Sequence, residues 1–154
     1  MIKLKPILFI LLINFTTATV AENSSNDPGS ENQPFIIENA WISEAPPNSK
    51  VMVAYLTITN PSTEDIELTS ARSALYSSIE FHETVHRDGL ARMLRHKSIP
   101  ISANSSVHFK RGGKHLMLFN PTKRLKAGDT VEVTLSTNKN QTQSLFIPVK
   151  KSQL

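Results

Sequence analysis

Hydrophobic and polar residues alternate with a period of two over most of the chain beyond position 35. The clearest run, VMVAYLTIT at positions 51–59, is rich in β-branched residues and ends at the turn signal Asn60-Pro61. Further strand-like runs lie at 36–42, 66–69, 79–86, 107–110, 115–119, 130–136 and 144–149. Because no window has the spacing of a long amphipathic helix, we predict an all-β, single-domain β-sandwich.

The beginning of the chain has the pattern of a secretory signal peptide. Lys3 and Lys5 precede an apolar stretch at 7–15, which small residues follow up to Ala21. Cleavage after Ala18 or Ala21 would release an exported protein without stable membrane insertion, and an uncleaved anchor is the alternative. We therefore expect a signal peptide at 1–21, a flexible polar leader at 22–34, one domain at 35–150 and a short tail at 151–154.

The composition removes several classes of function. The 154 residues include no cysteine, which excludes disulfide scaffolds, thiolate metal sites, cysteine nucleophiles and a lipidated-cysteine anchor. The formal charge of +4 is not gathered in a long basic run interleaved with aromatic residues, so a nucleic-acid partner is not expected. No catalytic triad, phosphate loop or recognisable carboxylate pair is evident, so we do not expect an enzyme.

Histidine and methionine lie two residues apart in one predicted strand. His115 and Met117 would point to the same face, while Leu116 and Leu118 enter the core. The glycines Gly112-Gly113 just before the strand permit a sharp turn into it. A methionine packed beside a surface histidine is the alternative interpretation.

A predicted hairpin brings a second such pair together. Asp88-Gly89 is a strong two-residue turn signal. Chain reversal about it would place Met93 opposite Thr84 and diagonal to His82, on the face away from Phe81. Two thioethers and two imidazoles select Cu(I), because sulfur is a soft ligand and all four groups are neutral. Thioethers also form no disulfides in an oxidising compartment.

The spacing of these four residues resembles the signature of the periplasmic copper chaperones called PCuAC. Ten residues separate His82 from Met93, twenty-one separate Met93 from His115, and one separates His115 from Met117. The similarity covers about 35–149 and includes NAW at 39–41, AYLTITN at 54–60, HETV at 82–85, GGKHLML at 112–118 and LKAGD at 125–129. One departure is Arg111, where the family often has proline.

The resemblance implies a cupredoxin-like Greek-key β-sandwich in the periplasm. One Cu(I) would be held near its surface by His82, Met93, His115 and Met117, with Cu(II) as a secondary form. A monomer would donate copper by ligand exchange to a respiratory oxidase subunit, such as the one carrying the CuA centre of cytochrome c oxidase, or to another copper-assembly protein.

Three other functions compete with this interpretation. A periplasmic copper storage or resistance protein could use the same site. An electron-transfer cupredoxin would need a cysteine thiolate, which the chain lacks. In a plain binding module the four residues would be incidental.

The remaining candidates have simpler interpretations. His86, His96 and His108 are expected to be exposed, and Met52 and Trp41 to pack in the core. Cations cluster in sequence around the four candidate ligands and would form either a solvated rim or a collar that docks an acidic partner or an anionic membrane face. They are Arg87, Arg92, Arg95, Lys97, Lys110, Arg111 and Lys114.

Overall fold

The computed structural model describes residues 33–152, which form ten β-strands and no helix. The strands are β1 (Ile36–Ser43), β2 (Val51–Asn60), β3 (Ile66–Arg72), β4 (Tyr76–Arg87), β5 (Leu90–His96), β6 (Ile99–Ile101), β7 (Ser105–Phe109), β8 (Lys114–Pro121), β9 (Thr130–Thr137) and β10 (Thr142–Lys150). The predicted signal peptide and most of the predicted leader lie outside the described residues. Within those residues, no helix has the length and apolarity needed to cross a membrane.

The strands lie side by side in the order β5-β4-β8-β7-β2-β1-β10-β9-β3-β6. A further pairing between β3 and β4, through Ala71 and Ile79, closes the sheet on itself. Strands that are distant in sequence lie next to each other, as β4 and β8 do, which is typical of Greek-key connections. The predicted all-β sandwich is therefore confirmed.

Strict alternation of burial builds the core. Along β2 the even-numbered residues are buried and the odd-numbered ones are half-buried, because successive side chains point to opposite faces of a strand. Met52 is 3% exposed, as predicted, and its Sδ atom accepts a hydrogen bond from the Tyr76 hydroxyl at 3.1 Å. On β8, Leu116 and Leu118 are buried, which confirms the inward face predicted for them.

The position of Trp41 differs from the prediction. A bulge in β1, where Asn39 has a φ of 54°, shifts the pairing register with β2 between Glu38 and Trp41. The extra residue reverses the alternation of faces, so Trp41 leaves the core and packs on Tyr55, with ring centroids 4.9 Å apart. The guanidinium of Arg111 lies 5.5 Å from the centroid of the Trp41 ring, within cation–π distance.

Candidate metal centre

The β4–β5 hairpin has the predicted register. Asp88 and Gly89 both adopt positive φ, 52° and 74°, as the tightest hairpin turns require. Thr84 pairs directly with Met93. Because direct partners in an antiparallel pair share a face, Met93 lies diagonal to His82 on the face predicted for both.

Strand β8 adds the second pair of candidate ligands beside β4. His82 pairs directly with His115, and Glu80 pairs with Met117. The centroids of the two imidazole rings are 6.1 Å apart. Three adjacent strands, β5, β4 and β8, therefore bring all four predicted ligand residues to one face of the sheet.

The imidazole of His115 is held by the turn that precedes it. His115 is only 5% exposed, and its Nδ1 donates to the carbonyl oxygen of Gly113 at 3.0 Å. The same carbonyl accepts the backbone N–H of Thr84 at 3.1 Å, which ties the turn to β4. A ring that donates through Nδ1 keeps the lone pair of Nε2 available for a metal.

In His82 the roles of the two ring nitrogens are reversed, with Nε2 engaged and Nδ1 available. Its Nε2 donates to Oε2 of Glu80 at 2.9 Å, and Arg95 Nε lies 3.2 Å from the same carboxylate oxygen. Its Nδ1 is buried and has no hydrogen-bond partner among the described residues. A buried acceptor without a partner is costly in a folded protein, and a metal bound through Nδ1 would satisfy it. A histidine whose other nitrogen is bound to a carboxylate is common at metal sites.

The face becomes more exposed from β8 to β5. His115 is buried, the His82 side chain is 13% exposed, Met117 is half-buried and Met93 is 54% exposed. No group of three or more histidine, aspartate or glutamate side chains able to hold a metal occurs within residues 33–152. The candidate donors on this face are instead two imidazoles and two thioethers, deepest at His115 and most accessible at Met93.

The opposite face of the same strands carries an ionic cluster. Glu83 accepts from Lys114 Nζ at 3.0 Å and from His96 Nε2 at 2.8 Å. The hydrogen bond from Lys114 is the largest of the causes that lower the pKa of Glu83. The hydrogen bond to Glu83 draws the His96 ring against β4, so the prediction that His96 is exposed is wrong.

His108 is exposed as predicted, and its Nδ1 lies 3.1 Å from Thr57 Oγ1.

Comparisons with known proteins identify the family of the chain. The model of the LpqE-like family, described as "Putative lipoprotein LpqE-like", matches residues 36–149. A curated relative from Leifsonia xyli subsp. xyli (strain CTCB07), named "Putative lipoprotein Lxx21020", is 31% identical over 128 residues, which are 82% of this chain and 76% of that protein.

Two solved structures are similar over most of the chain. The Cu(I) form of DR1885 from Deinococcus radiodurans is 29% identical, with a TM-score of 0.64, and the match covers 84% of this chain and 86% of that one. The copper-bound PCuAC domain from PmoF2 is 22% identical, with a TM-score of 0.65 over 77% of this chain and 94% of that domain, a likeness of fold. The fold is cupredoxin-like, as predicted, and the chain belongs to the LpqE-like family, the PCuAC family that its histidine and methionine spacing resembles.

Proposed function

We propose that this protein is an exported Cu(I) carrier without catalytic activity. One copper ion would be held by His82, Met93, His115 and Met117. The observation that carries the proposal is the pair of oriented histidines: each ring has one nitrogen engaged by a neighbour and the other available. The two rings are close enough for one metal ion, about 2 Å from a nitrogen of each, to bind both.

The donor set favours Cu(I) over harder cations. Thioether sulfur is a soft ligand, whereas calcium and magnesium take oxygen ligands. Four neutral donors add no charge to a monovalent ion. Because thioethers are weak bases, an acceptor's ligands can replace them readily. Cu(II) would be a secondary form on the imidazoles.

The relatives support the proposed cargo and location. The Cu(I) form of DR1885 supports the cargo, and a relative named as a lipoprotein supports a place in the cell envelope, here the periplasm. The acceptor would be a respiratory oxidase copper centre, such as CuA, or another copper-assembly protein. The carrier would act as a monomer, and its exposed Met93 edge would allow an acceptor to replace one ligand at a time.

The carrier proposal is tested by anaerobic Cu(I) titration of the mature chain, residues 22–154, against a competing chelator. We expect one tight equivalent, bound much more weakly but still measurably in Met93→Leu and Met117→Leu. Met52→Leu is the matched control, because Met52 is buried in the core away from the candidate ligands. Failure of the unmutated chain to compete for Cu(I) would overturn the proposal.

A storage or resistance protein could hold copper in the same site, so a second experiment separates the roles. Deletion of the gene should impair oxidase assembly and respiratory growth at low copper, and reintroduction of the chain should restore both. Sensitivity to high copper with normal oxidase assembly would instead assign a storage role.

A further inference from the structure

The β4–β5 hairpin carries a third histidine on the same face as the four candidate ligands. His86 lies two residues beyond Thr84, and Thr84 pairs directly with Met93. Met93 is therefore diagonal to His82 on one side and to His86 on the other. The Met93 side chain is long enough to approach either histidine.

His86 is also the most available of the chain's five histidines. His82, His96, His108 and His115 each have a hydrogen-bond partner. Within residues 33–152, no hydrogen bond or ion pair engages His86, and its side chain is exposed. Its direct cross-strand partner is Ala91, whose methyl group leaves space beside Met93.

We infer that His86 and Met93 form an outer, transient Cu(I) site through which copper enters and leaves. This inference rests on the proposed function. Copper would be exchanged stepwise: Met93 stays bound while the His82 and His115 nitrogens and the Met117 sulfur are released and His86 binds. The acceptor's ligands would then displace His86 and Met93 at the exposed end of the hairpin. Copper stays Cu(I) throughout, so the exchange needs no oxidant or reductant.

Removal of His86 should change the rate of copper release in the opposite direction to removal of a resident ligand. Loss of a resident ligand speeds release, because the bound state is weakened. Loss of a ligand used only along the path slows both release and uptake, because the intermediate is destabilised. A residue with only a structural role at this exposed position would change neither rate.

The test measures Cu(I) release to a chelator by stopped flow in the mature chain. His86→Asn should slow release by roughly three- to tenfold, while His108→Asn, a change at another exposed histidine, should leave the rate unchanged. In a Met93→Leu background, adding His86→Asn should have no further effect, since the shared ligand is gone. Imidazole ¹⁵N spectra should show the His86 resonance broadening under Cu(I) after those of His82 and His115 have shifted.

Unchanged or faster release from His86→Asn would overturn the inference. If the unmutated chain binds Cu(I) tightly with shifts at His82 and His115, that result leaves the carrier function standing. If the unmutated chain binds no Cu(I), both proposals fail.

Discussion

His82 and His115 face each other as direct partners on adjacent strands, with ring planes inclined by 31° and centroids 6.1 Å apart. Neither ring is oriented by the other. The carboxylate of Glu80 engages one and the carbonyl of Gly113 engages the other. The two donors at the base of the proposed site are therefore held in place by protein groups, which lowers the ordering cost of binding an ion.

Removal of the Glu80 carboxylate should weaken Cu(I) binding. Without it, the His82 ring loses the group that fixes its proton on Nε2 and its orientation, so we expect roughly tenfold lower affinity for Glu80→Ala. Glu80→Gln retains an acceptor and should lose less. Chelator competition measures both, with Glu132→Ala on the exposed face of β9 as the control. Equal affinities in Glu80→Ala and the unmutated chain would show that the carboxylate does not orient the ligand.

The turn before His115 should tolerate alanine at one glycine and not at its neighbour. Gly112 has a φ of 71°, so Gly112→Ala should lower the free energy of unfolding by about 1 kcal/mol. Gly113 has no such strain, and a new Cβ would meet only atoms of Lys110 at ordinary van der Waals distances, the nearest being Cγ at 3.5 Å. Gly113→Ala should therefore remain within about 0.5 kcal/mol of the unmutated chain. Denaturant unfolding measures both, and the reverse order would contradict the turn geometry.

Tyr76 should make the fold sensitive to alkali. Burial raises the pKa of Tyr76 from 10.0 to about 12. Because the folded state holds this proton more tightly than the unfolded state, its stabilising contribution is complete below the unfolded pKa and is lost as the pH rises from about 10 towards 12. In Tyr55→Phe, Tyr76 is the remaining tyrosine, and its absorbance titration should coincide with alkaline unfolding. Ionisation near pH 10 with the fold intact would disprove the effect of burial.

Tyr76→Phe should cost about 1 kcal/mol, the usual net value of one hydrogen bond. The lost bond is the one that the hydroxyl donates to Met52 Sδ. Thermal or denaturant unfolding near pH 7 measures it, with Tyr55→Phe on the outer face as the comparison. An unchanged free energy of unfolding in Tyr76→Phe would show that this contact contributes nothing.

Cations near the candidate site should speed docking to an acidic acceptor. Three of these cations contact neighbouring side chains of the protein: Arg95 lies by Glu80, Lys114 by Glu83 and Arg111 over Trp41. Arg92 is exposed on β5, so Arg92→Glu should slow copper transfer, and the rate for the unmutated chain should fall as salt is added. Lys123→Glu, in the exposed segment after β8, is the control. A transfer rate independent of ionic strength would exclude the collar as a docking surface.

Much of the fold was predictable because burial follows the period of two so closely. Eight strand-like runs correspond to β1–β4 and β7–β10, and the Asp88-Gly89 signal placed Met93 opposite Thr84 correctly. Strand β6, Ile99–Ile101, was missed because three residues are too few to show a period. The bulge at Asn39 was missed because one inserted residue looks like any other in sequence, although it reverses the face of Trp41.

The positions of the four candidate ligands were partly predictable, and those of the groups that support them were less so. Spacing put His115 and Met117 on one face, but the pairing of β8 with β4 depends on the whole sheet and cannot be read from local pattern. Glu80 was missed, although it has the same strand parity as His82 and could have been found from that. The carbonyl of Gly113 has no side-chain signal, so only the backbone geometry shows it.

X-ray absorption spectroscopy of the Cu(I)-loaded mature chain can identify the atoms that bind copper. If His82, Met93, His115 and Met117 hold the ion, the first shell contains two nitrogen and two sulfur scatterers, with one sulfur lost in Met117→Leu and one in Met93→Leu. A shell of nitrogen and oxygen alone, unchanged in both variants, would contradict it.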